Sequence, residues 1–275
     1  MTAAANKQSC VVEIGGIPVM LSTDSESFRD LLCQRYSTFL SSSHAEYELD
    51  FELTEQGTVS DDDVRVRREG HEWRIERGDF HAQWDTESGR GWVKQTPNPY
   101  SLDSVLRILH SLILAGRGGF LLHAASAICA GRAYLFSGVS GAGKTTMTRL
   151  APSDVSLLTD EISYVRPGAG GYWAYGTPFA GELAKAGENC TAPVCALFFL
   201  EKGSENRIDE ISPADAARRL MRNILFFADD RELVGRLLAT ACDFVASVPI
   251  RLLTFYPDPK VWDRIRSFEG EPAHV

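Results

Sequence analysis

A chain of 275 residues, 44% hydrophobic and 24% charged, is long enough to bury a substantial core and has the composition of a globular protein. Its formal net charge of −9, with no basic run longer than Arg65 to Arg68, argues against nucleic acid as a partner, because binding the phosphate backbone needs a Lys/Arg-rich face. No apolar run approaches the roughly 20 residues that span a bilayer, so no membrane contact is expected.

The amino-terminal MTAAANKQSCVVEIGG lacks the apolar core of a signal peptide, and the six cysteines are scattered without a CxxC or a neighbouring His. Buried or surface thiols in a reducing cytoplasm are therefore expected.

The first 98 residues read as a strand-rich α+β region. Val11 to Ile14 and Pro18 to Leu21 flank Gly15-Gly16, a hairpin signal. Thr23 or Asp24 is positioned to cap a helix carrying Phe28, Leu31, Leu32, Tyr36, Phe39 and Leu40 at helical spacing. Short alternating stretches follow at Tyr47 to Leu53, Val64 to Arg68, Glu72 to Glu76, Phe80 to Trp84 and Gly91 to Lys94. Polar turns such as Asp61-Asp62-Asp63 and Ser88-Gly89-Arg90 separate them, which predicts an antiparallel meander. His44, His71 and His81 lie in it at irregular spacing and read as surface residues rather than metal ligands.

TPNPYS, residues 96 to 101, marks the boundary to a second domain, 99–275. Leu102 to Leu114 predicts an apolar-rich helix, and Gly119 to Cys129 and Arg132 to Ser137 predict adjacent strands joined by Ala130-Gly131. From there the pattern alternates in the α/β manner. A strand runs into a glycine loop, a helix starts at Lys144, and Val155 to Thr159 and Val194 to Leu200 read as strands. Ser212-Pro213-Ala214-Asp215 is a helix start, with Leu220, Ile224 and Phe227 expected on the buried face. A further helix over Arg231 to Ser247 and a strand over Ile250 to Phe255 complete the pattern.

GVSGAGKT is the first segment with chemistry in it. Gly138, Gly141 and Gly143 let the backbone of Val139, Ser140 and Ala142 turn its N–H groups toward phosphate oxygens. Lys144, where the helix starts, would reach the β- and γ-phosphates and the Thr145 hydroxyl would ligate Mg²⁺, with Thr146 the last of the nucleotide-binding residues. Nucleotide binding is the expected property. The apolar strand VSLLTDE then delivers Asp160 and Glu161 at its carboxyl end. Asp160 follows Lys144 by only 16 residues, so the helix between them must stop by Ala151-Pro152. The long crossover of motor and transporter ATPases does not fit that spacing.

The segment LLHAASAICAGRAYLFSGVSGAGKTTMTRLAPSDVSLLTDEISYVRP resembles the core of the HPr kinase/phosphorylase family, relatives of the phosphoenolpyruvate carboxykinases. The likeness covers residues 119 to 185, about a quarter of the chain. It implies an α/β fold with a carboxykinase-like phosphate-loop kinase core, ATP and Mg²⁺ as donor and cofactor, and transfer of the γ-phosphate to a hydroxyl. His123, 21 residues before Lys144, stands where the family has a His near the transferred phosphate. By the same resemblance Asp160 is the base, Thr145 and Glu182 hold the metal, and Glu161 is a second acid near it.

HPr kinases carry an Arg-Gly-containing signature directly after the Glu that Glu182 matches, whereas this chain has GELAKAGEN, so the likeness does not extend to HPr as acceptor or to phosphorolysis. Arg218, Arg219 and Arg222 are alternative phosphate contacts, or an exposed helix face. HPr kinases are hexamers, which leaves a homo-oligomer open, but no assembly surface is legible.

The expected function is thus an ATP-dependent kinase acting on a protein, peptide or small metabolite. A nucleotide-binding regulatory module without transfer is the alternative. The chain has half the length of a carboxykinase, no Asn-Lys-x-Asp motif of GTPases and no Leu-Ser-Gly-Gly of ABC ATPases.

Overall fold

The computed structural model describes residues 7–55, 63–183 and 186–268. It is a mixed α/β protein in which strand, at 41%, outweighs helix, at 28%. Contacts divide it into two compact units, Met1–Leu112 with Phe226–Arg231, and Ile113–Leu225 with Glu232–Val275.

In the first unit, β1 (Gln8–Ile14) and β2 (Ile17–Thr23) pair from Gln8 opposite Thr23 to Ile14 opposite Ile17, closing over the two glycines. α1 (Glu26–Arg35) is capped by Ser25, whose Oγ accepts from the Phe28 N–H at 3.3 Å, not by Thr23 or Asp24. Thr23 is still in the last register of β2, which removes it as a cap. The helix buries Phe28 and Leu32 and stops at Arg35, so Phe39 is buried from a short 3₁₀ turn instead.

The strands β3 (Leu40–Ser41), β4 (Tyr47–Leu53), β5 (Arg65–Glu69), β6 (Glu72–Arg77), β7 (Phe80–Asp85) and β8 (Arg90–Gln95) complete a sheet of order β3-β1-β2-β4-β8-β7-β6-β5. The expected meander holds for β5 to β8, all antiparallel. It fails at β4, which runs parallel to both β2 and β8. The helix between β2 and β4 accounts for the first pairing, since a helical crossover returns the chain in the same direction whereas a tight turn reverses it; β8 comes beside β4 because the meander is entered at its far edge, β5, and runs back. The expected turn at Asp61-Asp62-Asp63 has its first two residues outside the described ones.

α2 (Pro99–Gly116) starts at the second proline of TPNPYS, where a missing N–H costs nothing. The boundary between the units falls inside this helix, after Leu112. Asp103, buried on it, accepts from Arg35 Nε at 2.9 Å and from the Tyr36 hydroxyl at 2.7 Å, and a second guanidinium nitrogen of Arg35 completes a fork. Burial and the Asp103 carboxylate both hold the Tyr36 phenol well above its ordinary range. Asp103→Ala would leave a phenol and a guanidinium without an acceptor, and is expected to cost ~2–3 kcal/mol, read as a lower urea midpoint at unchanged slope. Ala228, from the segment after Leu225, forms a parallel bridge with Val66, which attaches that segment to this unit.

The second unit contains β9 (Phe120–Cys129), β10 (Arg132–Ser137), α3 (Lys144–Arg149), β11 (Ser156–Thr159), β12 (Ile162–Gly168), β13 (Gly171–Tyr175), β14 (Thr191–Lys202), β15 (Arg207–Glu210), α4 (Pro213–Asn223), β16 (Ile224–Leu225), α5 (Arg231–Ser247), β17 (Ile250–Phe255) and α6 (Val261–Arg266). Pairing closes into a ring, β10 to β9, β12, β13, β14 and back to β10. β14 is parallel to β10 and β17, while β9 is antiparallel to β10, β11, β12 and β16.

Two expectations fail in α4. The helix buries Leu220 but ends at Asn223, whose side chain donates to the Arg219 carbonyl at 2.8 Å. Ile224 therefore pairs with β9 as part of β16, and Phe227 lies beyond the helix. Among the described residues, no helix is long and apolar enough to cross a membrane.

Candidate functional site

The apolar strand β10 leads directly into the glycine loop. Within the loop the Ala142 N–H donates to the Val139 carbonyl at 3.0 Å, which closes a tight turn and sends Ala142 into the core. Gly143 has φ of 116°, and a Cβ there would lie 2.8 Å from the Phe255 ring, so glycine is required on both counts. The first helical bond of α3 runs from the Met147 N–H to the Gly143 carbonyl, leaving the N–H groups of Lys144, Thr145 and Thr146 without an acceptor inside the helix.

Lys144 Nζ folds back to donate to the Gly138 carbonyl at 3.0 Å. Behind the loop, Trp262 on α6 donates its indole N–H to the Met147 carbonyl at 3.2 Å and packs edge-on against Phe136. The carboxyl-terminal helix thus anchors α3.

Strand register brings the remaining residues to the same place. β11 pairs with β9 so that Thr159 faces Ser126, and β12 continues along β9 with Ile162 opposite His123. Asp160 and Glu161 occupy the two-residue step between those strands. The Glu161 carbonyl accepts from the Ala124 N–H at 2.9 Å, and Thr159 Oγ1 accepts from the Glu161 and Ile162 N–H groups at 3.3 and 3.2 Å. A distance of 37 residues along the chain between His123 and Asp160 thereby becomes adjacency across one strand pair.

Asp160 is only 3% exposed, and its carboxylate clasps a turn. Oδ1 accepts from the Gly181 N–H and Oδ2 from the Leu183 N–H, both at 2.9 Å. Glu182 lies between those two donors, so the clasp fixes the backbone that carries it. A Cβ on Gly181 would come within 2.8 Å of Glu161 Cβ and 3.0 Å of Asp160 Oδ2, so the turn can approach this closely only as glycine.

A cavity of about 240 Å³ opens between these elements. His123, Ser140, Gly141, Gly143, Lys144, Thr145, Thr146, Asp160, Glu161 and Glu182 line it. Ten of the thirteen residues expected at the site therefore share one cavity. Gly138 and Val139 face a second cavity, and Ala142 is packed beneath the loop.

Burial lowers the Lys144 ammonium from its ordinary range, while the carboxylates of Glu161 and Glu182 act in the opposite sense. Burial, and then the charge of Lys144, lower His123 as well. A His whose folded value lies below 6.5 is protonated first in the unfolded chain, so its contribution to stability is present above pH 6.5 and is lost as pH falls through the folded value. Titrating the ring proton resonances by NMR should place the His123 midpoint below 6.5, rising when an anionic ligand fills the cavity; a midpoint at or above 6.5 in the free protein would refute this electrostatic account.

Among the described residues, no group of three or more His, Cys, Asp and Glu forms a metal cage of protein ligands alone. The available set of a hydroxyl at Thr145 and carboxylates at Glu182 and Glu161 suits Mg²⁺, which takes one or two carboxylates and completes its octahedron with water and phosphate oxygens.

Sequence reasoning missed the Gly181–Leu183 clasp and the Trp262 anchor. The only signal for the first was the Gly181-Glu182 pair itself, and nothing in the carboxyl-terminal segment marked the second.

A family model described as ScmC, SynChlorMet cassette protein ScmC, matches residues 99–268, and the chain belongs to that family. No curated protein matches its sequence.

Proposed function

We propose that this ScmC-family chain is an ATP-dependent kinase of the HPr kinase and carboxykinase type, with a phosphate-loop kinase core, which moves the γ-phosphate of ATP to a hydroxyl of a protein, peptide or small metabolite. The observation that carries this reading is the single cavity holding Lys144, Thr145, His123, Asp160, Glu161 and Glu182 together. Its volume is below the ~300–1,000 Å³ of pockets that enclose whole ligands. A triphosphate fits that space, with the nucleoside outside it.

Lys144 and the N–H groups at the start of α3 bind the phosphates, and the lysine leaves the Gly138 carbonyl to do so. Mg²⁺, held by Thr145 and Glu182 with Glu161 beside it, would neutralise the charge of the β- and γ-oxygens. The acceptor oxygen forms a bond to the γ-phosphorus as the bond from that phosphorus to the β-bridging oxygen breaks, and the hydroxyl proton passes to Asp160. Two backbone N–H groups occupy two of the roughly four lone-pair positions of that carboxylate, leaving capacity for the proton. His123, lowered in the free protein by burial and then by the charge of Lys144, contributes a hydrogen bond near the transferred group. The six unpaired thiols suit a reducing cytoplasm.

One observation favours the alternative of a nucleotide-dependent switch without transfer, namely that Asp160 already serves as a backbone clasp. Incubating the protein with γ-labelled ATP, Mg²⁺ and cell extract separates the two. Label moving to an acceptor, and lost in Asp160→Asn, supports the kinase. Tight nucleotide binding with no labelled product from extract, peptides or hydroxylated metabolites would leave the switch.

A further inference from the structure

A second cavity, about 500 Å³, lies on the other limb of the glycine loop. It shares His123 and Ser140 with the first, and Gly138 and Val139 form its near wall. Its far wall is the end of β14 and one face of α4. Val139 is 78% exposed, so this limb of the loop is open toward the space.

Charge distinguishes the far wall. Arg219 lies over the Phe199 ring at 5.9 Å and is committed to carboxylates, with Nε 2.8 Å from Asp215 and Nη1 2.9 Å from Glu201. Arg218 is paired with the same Asp215. The side chain of Arg222, one turn further along the helix and lining the cavity, has no hydrogen bond or ion pair among the described residues. The wall therefore presents one spare guanidinium, one turn beyond two cations whose own charges are met. A guanidinium in that setting is suited to a bidentate oxyanion.

We propose that this cavity is the acceptor site, and that it takes a hydroxyl-bearing acceptor carrying a carboxylate or phosphate anion, which Arg222 binds. The acceptor role rests on the kinase reading above; the anion site does not. In-line transfer needs the acceptor to approach the moving phosphoryl group from the side away from its leaving group, and the two cavities adjoin at His123 and Ser140, which line both. Lys144, Thr145 and the acids all lie in the first cavity, which assigns it to the donor phosphates and metal. With the anion at Arg222, the acceptor hydroxyl reaches the His123 border, where its oxygen bonds to the γ-phosphorus, ADP leaves, and its proton goes to Asp160.

The test is calorimetric titration of inorganic phosphate into the full chain saturated with Mg²⁺ and a non-hydrolysable ATP analogue. Phosphate should still bind, and Arg222→Ala should weaken it by roughly five- to tenfold with the analogue affinity unchanged. Arg222 is exposed, so the variant is expected to fold, and its circular dichroism checks this. Titration with succinate in a parallel arm separates the two anions, the tighter binder naming the group that the acceptor carries. Phosphate that binds only when the analogue is absent, or equally well to Arg222→Ala, overturns the site. If instead the analogue itself does not bind, the kinase reading and the acceptor role fall together, while Arg222-dependent phosphate binding would still uphold the anion site.

Discussion

Lys144→Met is expected to weaken binding of Mg²⁺ and ATP by about a hundredfold and to abolish transfer, because several charge-assisted bonds to phosphate oxygens are lost at once. The substitution also leaves the carboxylates of Glu161 and Glu182 without the cation that faces them, which adds to the repulsion that the phosphates meet. Lys144→Arg should not rescue it. The loop holds a compact ammonium, 3.0 Å from the Gly138 carbonyl, and a planar guanidinium fork does not reproduce the position or the directions of its three donors. Fluorescence titration with a labelled ATP analogue reads the affinity, and thermal melting checks that α3 is intact. Wild-type affinity in Lys144→Met would remove the loop from nucleotide binding and with it the whole functional reading.

What the sequence makes legible here is what is encoded locally. The limits of α5 and of the strand that feeds the glycine loop follow from hydrophobic periodicity, and the start of α3 follows from the glycines that cannot be helical. The site could be read because its residues lie in three short stretches whose spacing is tied to one strand register, Ile162 opposite His123.

Elements that depend on distant partners were not legible. β4 runs parallel to β2 because α1 returns the chain in the same direction, and no residue of Tyr47–Leu53 states that direction. Asp103 looks like a solvent-facing helix residue, yet Arg35 and Tyr36, 68 and 67 positions away, make it a buried acceptor. Gly181 falls in a stretch without strand or helix periodicity, and its need for glycine arises only where Asp160 and Glu161 crowd it. The second cavity is of the same kind, since Val139 and Arg222 are separated in sequence by a strand-rich region that closes on itself.

Asp160→Asn is expected to produce the second large effect, and its size and origin can be divided. An amide keeps one oxygen and replaces the other with a donor, so either the Gly181 or the Leu183 N–H faces an NH₂ group. The unsatisfied buried donor costs ~1–3 kcal/mol, which lowers the melting temperature and loosens the turn that carries Glu182. Loss of a general base removes a further ~10²–10⁴ in rate.

Gly181→Ala separates these contributions. Its Cβ, 2.8 Å from Glu161 Cβ and 3.0 Å from Asp160 Oδ2, forces the clasp open while leaving the carboxylate in place. If Asp160 takes the proton, Asp160→Asn falls by about three orders of magnitude even at saturating Mg²⁺, whereas Gly181→Ala keeps most of its rate there and chiefly raises the Mg²⁺ concentration needed for half-maximal rate. If Asp160 serves only to position Glu182, both variants share the metal defect and saturating Mg²⁺ restores the rate of both. The comparison therefore decides between a base and a clasp at the residue where the two roles meet.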